Sequence, residues 1–191
     1  MAGRQAKVLT PHNIRRILAY AGRTAFPERD RVIILLAVKS GLRAAEITKL
    51  TWPMVLDSRG RVSTQIELVD DIAKKRSGRR VPVHPDLRLA LGALRRCTGA
   101  EGPVIRSARG DHLRPNSLVN WFRVMFAELG LQGCSSHSGR RTFITNAARS
   151  VHKAGGSLRD VQLLAGHRSI ETTQRYIDGD TDAQRRLINL I

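Results

Sequence analysis

Apolar positions follow a helical period at both ends of the chain and a strand period in its middle. Thr10-Pro11 reads as a helix start, a capping side chain followed by proline in the first turn. Ile14, Ile17 and Leu18 supply the apolar stripe behind it. Residues 32–38 form the longest apolar run, and the pattern predicts a helix over Pro27–Lys39 that stops near Gly41. A helix apolar on all sides belongs at the centre of a domain. Arg43 opens a short helix through about Leu50, which places Arg43 and Glu46, three residues apart, on one face.

The period then changes. Val62, Thr64, Ile66 and Leu68 alternate with polar residues as a half-buried strand does, and residues 79–83 read as its partner. The polar stretch 70–78 is the turn between them. With residues 52–56 added, the expectation is a small antiparallel sheet of three strands. Beyond it the helical period returns over residues 85–96, with Leu87, Leu89, Leu91 and Leu94 as core candidates. Residues 116–129 follow, with Leu118, Trp121, Phe122, Met125 and Phe126, and then 136–150. Ser157 and Asp160 form a capping box for a helix carrying Leu158, Val161 and Leu164, which Gly166 ends. Ser169 can cap one more short helix bearing Tyr176, and 182–191 reads as an amphipathic tail helix. The fold class is mixed α/β, mainly α. The 191 residues suit a single domain, with 1–9 a flexible start and 180–191 a tail.

Composition changes the picture mainly through charge. Hydrophobic content of 41% is ordinary for a folded domain, whereas 33 basic against 16 acidic residues leave a net charge of +17. Such a field favours a polyanion, and nucleic acid first among polyanions. The longest apolar run is far too short to span a bilayer, and residues 1–7 hold no apolar signal core, so no membrane role is expected. Cys97 and Cys134 make neither a disulfide framework nor a metal-site spacing, which suits a reducing cytoplasm.

Six residues carry candidate chemistry. A phosphodiester repels nucleophiles, and its transition state spreads further charge over the non-bridging oxygens. Without a metal, a site needs fixed cations with directional donors, and arginine serves best. Arg43 and Arg140 are candidates for that clamp. His137, three residues before Arg140, can donate to phosphate or move a proton. His167 follows a helix-ending glycine, a place suited to presenting an imidazole into a cleft. Tyr176 is a usable covalent nucleophile if a neighbouring base or cation favours its phenolate. Lys74, in the polar turn, could protonate a departing oxygen, and Lys75 could equally do so.

In this order these residues resemble the tyrosine recombinase (phage integrase) family, over nearly the whole chain as that family's catalytic domain. Ser40-Gly41-Leu42-Arg43-Ala44-Ala45-Glu46-Ile47 is similar to its first arginine box. His137-Ser138-Gly139-Arg140-Arg141-Thr142-Phe143 is similar to its histidine-to-arginine box. Leu163-Leu164-Ala165-Gly166-His167, with Thr172, Thr173 and Arg175-Tyr176, is similar to its third box and nucleophile. The interval from Lys74 to Pro82 matches the family's hairpin lysine, which favours Lys74 over Lys75.

The resemblance implies site-specific cleavage and rejoining of double-stranded DNA without metal, ATP or other cofactor. Tyr176 would form a 3′-phosphotyrosyl link and free a 5′-hydroxyl. Arg43 and Arg140 would clamp the phosphate, His137 would give acid/base support, and His167 would hydrogen-bond the phosphate. Lys74 would protonate the leaving oxygen, and Glu46 would support the site from behind. It also implies a tetramer on two DNA sites, monomers in solution, exchange of C-terminal segments, accessory DNA-bending proteins and a nucleoid-associated place in the cytoplasm. One departure stands out. The first arginine box begins about forty residues in, which leaves no room for the family's N-terminal core-binding domain. The expectation is either a minimal recombinase or an excised catalytic domain, with half the DNA clamp absent and DNA binding weak and strongly salt-dependent. A type IB topoisomerase and a DNA-binding regulator without turnover are the competing readings.

Overall fold

The computed structural model describes residues 6–70, 78–176 and 188–189. Eight α-helices, two short 3-10 turns and one two-stranded sheet occur among the described residues. The helices are α1 (Pro11–Ala21), α2 (Pro27–Lys39), α3 (Ala44–Lys49), α4 (Pro85–Thr98), α5 (Pro115–Glu128), α6 (Ser138–Ser150), α7 (Leu158–Ala165) and α8 (Ile170–Gln174). Strands β1 (Gln65–Leu68) and β2 (Arg79–Pro82) lie between α3 and α4.

The apolar run places α2 where its composition demands. Every residue from Val32 to Val38 is buried, and α1, α4 and α6 pack around the helix. Its one buried charge, Asp30, is paired with Arg29 at 2.8 Å, which offsets the cost of taking a carboxylate out of water. At α1, Thr10 Oγ1 accepts from the Asn13 N–H as a capping side chain should. Residues 6–9, expected within a flexible start, run against the domain. Leu9 is buried and its N–H donates to Thr142 Oγ1 at 2.8 Å.

The sheet is smaller than expected. Gln65 pairs with Pro82 and Leu68 with Arg79 in antiparallel register, and no third strand joins them among the described residues. Residues 52–56 instead form a 3-10 turn over Trp52–Met54, closed by Val55 N–H to Trp52 O at 3.0 Å. Pro53 has no N–H to give to a ladder, and Trp52 is fully buried by the turn. A single bridge from Leu56 to Val62 is what remains of the expected pairing. Leu89 also departs from expectation. It lies on the far side of α4 from Leu87, Leu91 and Leu94 and is 76% exposed. The hairpin turn with Lys74 and Lys75, and nearly all of the expected tail helix, lie outside the described residues.

Two apolar clusters result. The larger is built on α2 and draws in α1, α3, α4, α5 and the sheet. The smaller joins Ile144, Ala148 and Val151 to Val161 and Ala165, with Phe143, Leu158 and Tyr176 packed on it. The two meet along α6, where a side chain on Gly139 would come within 2.6 Å of Ala37 Cβ. This close approach pins the first turn of α6 to α2. Among the described residues no helix is long and apolar enough to cross a membrane.

Candidate active site

The turn after α2 sets the first arginine. Gly41 has φ +63°, and a Cβ there would stand 2.3 Å from the Phe143 ring, so only glycine fits the turn. Arg43 follows as the residue capping α3, and its backbone N–H donates to Glu46 Oε2 at 2.9 Å. Its Nη1 donates to Glu46 Oε1, also at 2.9 Å, so the expected shared face is a real contact. Glu46 is buried. Burial opposes its ionisation, but hydrogen bonds and charge from Arg79, then Arg43, outweigh it and hold the carboxyl below its ordinary value.

Arg140 enters from α6. It is 4% exposed, and its fork is committed to two carbonyls, Nη1 to Gly41 O and Nη2 to Ala165 O, both at 2.6 Å. Burial, then repulsion from Arg43, pulls its guanidinium down to about 10, which leaves it charged at neutral pH. His137 sits one residue ahead of α6 rather than within it, yet it borders the same cleft as Arg140.

The third box arrives on α7. Ser157 and Asp160 form the expected capping box, with the Ser157 N–H donating to Asp160 Oδ2 at 2.8 Å. Gly166 ends the helix in the left-handed conformation, φ +62°. The His167 N–H then donates back to Gln162 O, and Gln162 Nε2 donates to His167 O at 3.0 Å. These two bonds fix the backbone that presents the imidazole. His167 Nδ1 lies 2.9 Å from the buried Thr173 Oγ1. Burial, then the charges of Arg140, Arg43 and Arg79, pushes the imidazole down to about 4, so it is neutral at neutral pH.

Tyr176 lies two residues past the end of α8, not on the helix as expected. Its N–H donates to Thr173 O at 3.1 Å, and its ring stacks on His167 with centroids 5.6 Å apart. The Arg141 guanidinium stands 5.8 Å from the centre of the same ring.

These groups line one open cleft of about 490 Å³, with Arg43, His137, Arg140, His167 and Tyr176 on its walls and Arg141, Thr172 and Arg175 beside them. Glu46 stands behind the Arg43 wall. Lys74 lies outside the described residues. Sequence reading missed Arg79, whose side chain is 7% exposed and paired with Glu46 at 3.0 Å. A signal was available, because period-two alternation in β2 puts Arg79 on the same face as the buried Val81. The cleft can hold a tetrahedral oxyanion between fixed guanidinium groups, with a neutral imidazole and a phenol facing it. Among the described residues, no group of three His, Cys, Asp or Glu side chains is placed to hold a metal ion.

The family model described as the phage integrase family matches residues 7–182. The tyrosine recombinase XerC of Rhodospirillum centenum is 32% identical over 159 residues, 81% of this chain and 43% of that protein. The crystal structure of XerA recombinase superposes with a TM-score of 0.75 at 21% identity, covering 100% of this chain and 65% of that one. The Tn1549 transposon integrase, in complex with a circular intermediate DNA, gives 0.74 at 18% identity over 100% of this chain and 67% of that one. These likenesses show a shared fold. The chain spans about half the length of the curated relatives it matches.

Proposed function

The chain belongs to the phage integrase family of tyrosine recombinases, and from that premise we propose that it cleaves and rejoins double-stranded DNA at specific sites through Tyr176. The observation that carries the reading is the convergence of Arg43, His137, Arg140 and His167 on Tyr176 in one cleft.

The Tyr176 oxygen attacks the scissile phosphorus. The bond to the 5′ oxygen breaks as the bond to tyrosine forms, leaving a 3′-phosphotyrosyl link. Arg43 and Arg140 hold the non-bridging oxygens and offset the charge that grows there. Arg140 is pre-organised, since its position is set by two carbonyls before DNA arrives. His167 acts as a neutral donor. We assign the Thr173 hydroxyl, 2.9 Å from Nδ1, as the donor to that nitrogen, which puts the imidazole proton on Nε2, from where it donates a hydrogen bond to a phosphate oxygen. His137 assists removal of the phenolic proton, and Lys74 supplies a proton to the departing 5′ oxygen. The covalent link keeps the energy of the broken bond, so resealing is the same chemistry run backwards. Double-stranded DNA is the partner, and a homotetramer on paired sites is the working assembly.

Covalent trapping tests this. The protein is incubated, without metal, with nicked suicide duplexes tiling the DNA that flanks its own gene, and then denatured. The expected result is a protein–DNA adduct that Tyr176→Phe abolishes. Intact, salt-sensitive binding with no adduct would transfer the reading to a DNA-binding regulator. Relaxation of plasmids lacking any required site would transfer it to a topoisomerase.

A further inference from the structure

We propose that Arg79 is the positioning residue of the cleft, a single guanidinium that sets both the Arg43 side chain and the turn that presents His167. It does not line the cleft, so it acts through other groups.

All three of its donor nitrogens are committed. Nη1 donates to Glu46 Oε1 at 3.0 Å and Nη2 to Glu46 Oε2 at 3.1 Å, a two-point grip on one carboxylate. The same two oxygens orient Arg43, Oε1 by accepting from its Nη1 and Oε2 by accepting from its backbone N–H. Glu46 is therefore shared between a guanidinium facing the cleft and one behind it. Without Arg79, a buried carboxylate has Arg43 as its remaining ion-pair partner among the described residues and draws that side chain inward, away from a phosphate.

The third donor reaches the other wall. Arg79 Nε donates to Leu164 O at 2.9 Å, one residue before the carbonyl of Ala165 that Arg140 takes. Two arginines from separate elements thus satisfy successive carbonyls at the C-terminus of α7, where the helix dipole favours cations. Gly166 comes next. A Cβ there would stand 2.9 Å from Arg79 Nη1, so the guanidinium is packed directly under the turn that carries His167. One side chain on β2 therefore fixes α3 and α7 relative to each other at the two places where they offer groups to the cleft.

The inference rests on the cleft being the phosphate site proposed above, and its test uses two readouts that separate the claims. The first is binding of tungstate, a tetrahedral dianion standing in for phosphate, followed by NMR of the His167 imidazole. The second is the rate of adduct formation on the duplex that the wild type traps. Arg79→Met is expected to weaken tungstate binding about tenfold, and most of that loss is expected to vanish in an Arg43→Ala background, because the two residues act through one carboxylate. Arg79→Lys keeps the charge but not the two-point grip, and is expected to lie between the wild type and Arg79→Met. It also carries the test if Arg79→Met fails to fold.

An equal loss in both backgrounds, or wild-type affinity in Arg79→Lys, would overturn positioning and leave Arg79 a structural ion pair or a bare charge. A wild type that binds tungstate but never forms an adduct would overturn the recombinase reading and leave the positioning intact. Tungstate that does not shift His167 in the wild type would overturn both.

Discussion

The two walls of the cleft rest on unequal foundations. Arg43 follows the turn after α2, against the larger apolar cluster, and Arg140 lies in the first turn of α6, which Gly139 pins to α2. His167 and Tyr176 rest on the smaller cluster of Ile144, Ala148, Val151, Val161 and Ala165. The cations are thus tied to the central helix α2, and the nucleophile rests on a part with less apolar anchoring. For phosphoryl transfer this division makes sense. Charge stabilisation works best when pre-organised, whereas a nucleophile that must attack, stay attached and later be released gains from an element that opens at lower cost.

The sharpest way to break the comparison is to remove the buried cation. Arg140→Met leaves the carbonyls of Gly41 and Ala165 without their donor in a dry setting. It is expected to lower the adduct rate by about a hundredfold to a thousandfold, as loss of a pre-organised transition-state donor does. It should also cost roughly 1–3 kcal/mol of stability for the stranded acceptors. Single-turnover trapping and urea unfolding read the two effects separately. Next in size is a matched pair of core truncations. Ile34→Ala in α2 is expected to cost about 2–5 kcal/mol, exposing every element to earlier unfolding. Val161→Ala in α7 removes less apolar volume from the smaller cluster, and is expected to cost about 1–2 kcal/mol and to raise amide exchange in α6 and α7 before α2. Exchange rising equally in all three helices would show one cooperative unit and end the comparison.

The two foundations also differ in how far they can be read from sequence. α2 is legible to its last residue, because an apolar run bounded by Pro27 and Gly41 has one physical outcome. The capping box of Ser157 and Asp160 is legible for the same reason, being a local contact between a cap and the residue three along. What fails to show is long-range. Arg79 becomes a site residue through Glu46, 33 positions away, and Leu164, 85 away, and no local pattern announces a buried arginine. The expected third strand fails because Pro53 and the burial of Trp52 override the alternation around them. The ring of Tyr176 stacks on His167, but whether the residue sits on a helix or past its end depends on where α8 stops. The candidate residues were visible as a set of chemical types, while the struts holding them were not.

Smaller effects sharpen the account of the His167 wall. Gly166→Ala forces a side chain into a left-handed turn and against Arg79. It is expected to cost more than the roughly 0.4–1 kcal/mol that Gly→Ala gains at a compatible site, and to shift the His167 imidazole resonances. Thermal unfolding and a carbon–proton NMR spectrum check both parts. An unchanged midpoint with unmoved resonances would mean that the turn is not under the constraint described.

The last test is of pH, and its sign follows from the depressed imidazole. His167 titrates at about 4 in the fold against 6.5 for an ordinary histidine. Between those values the unfolded chain carries a proton at this position that the folded chain does not. Stability therefore falls as the pH drops through that window and is fully present above it. His167→Gln should remove this share of the acid sensitivity while leaving that of the other titrating groups, so the difference between the two proteins isolates it. Denaturant midpoints at pH 7, 5.5 and 4.5 are expected to converge toward acid, the wild type losing more than the variant. Parallel curves would mean that burial and the charges of Arg140, Arg43 and Arg79 exert no pressure on His167, and that its neutrality, on which its role as a hydrogen-bond donor depends, has another origin.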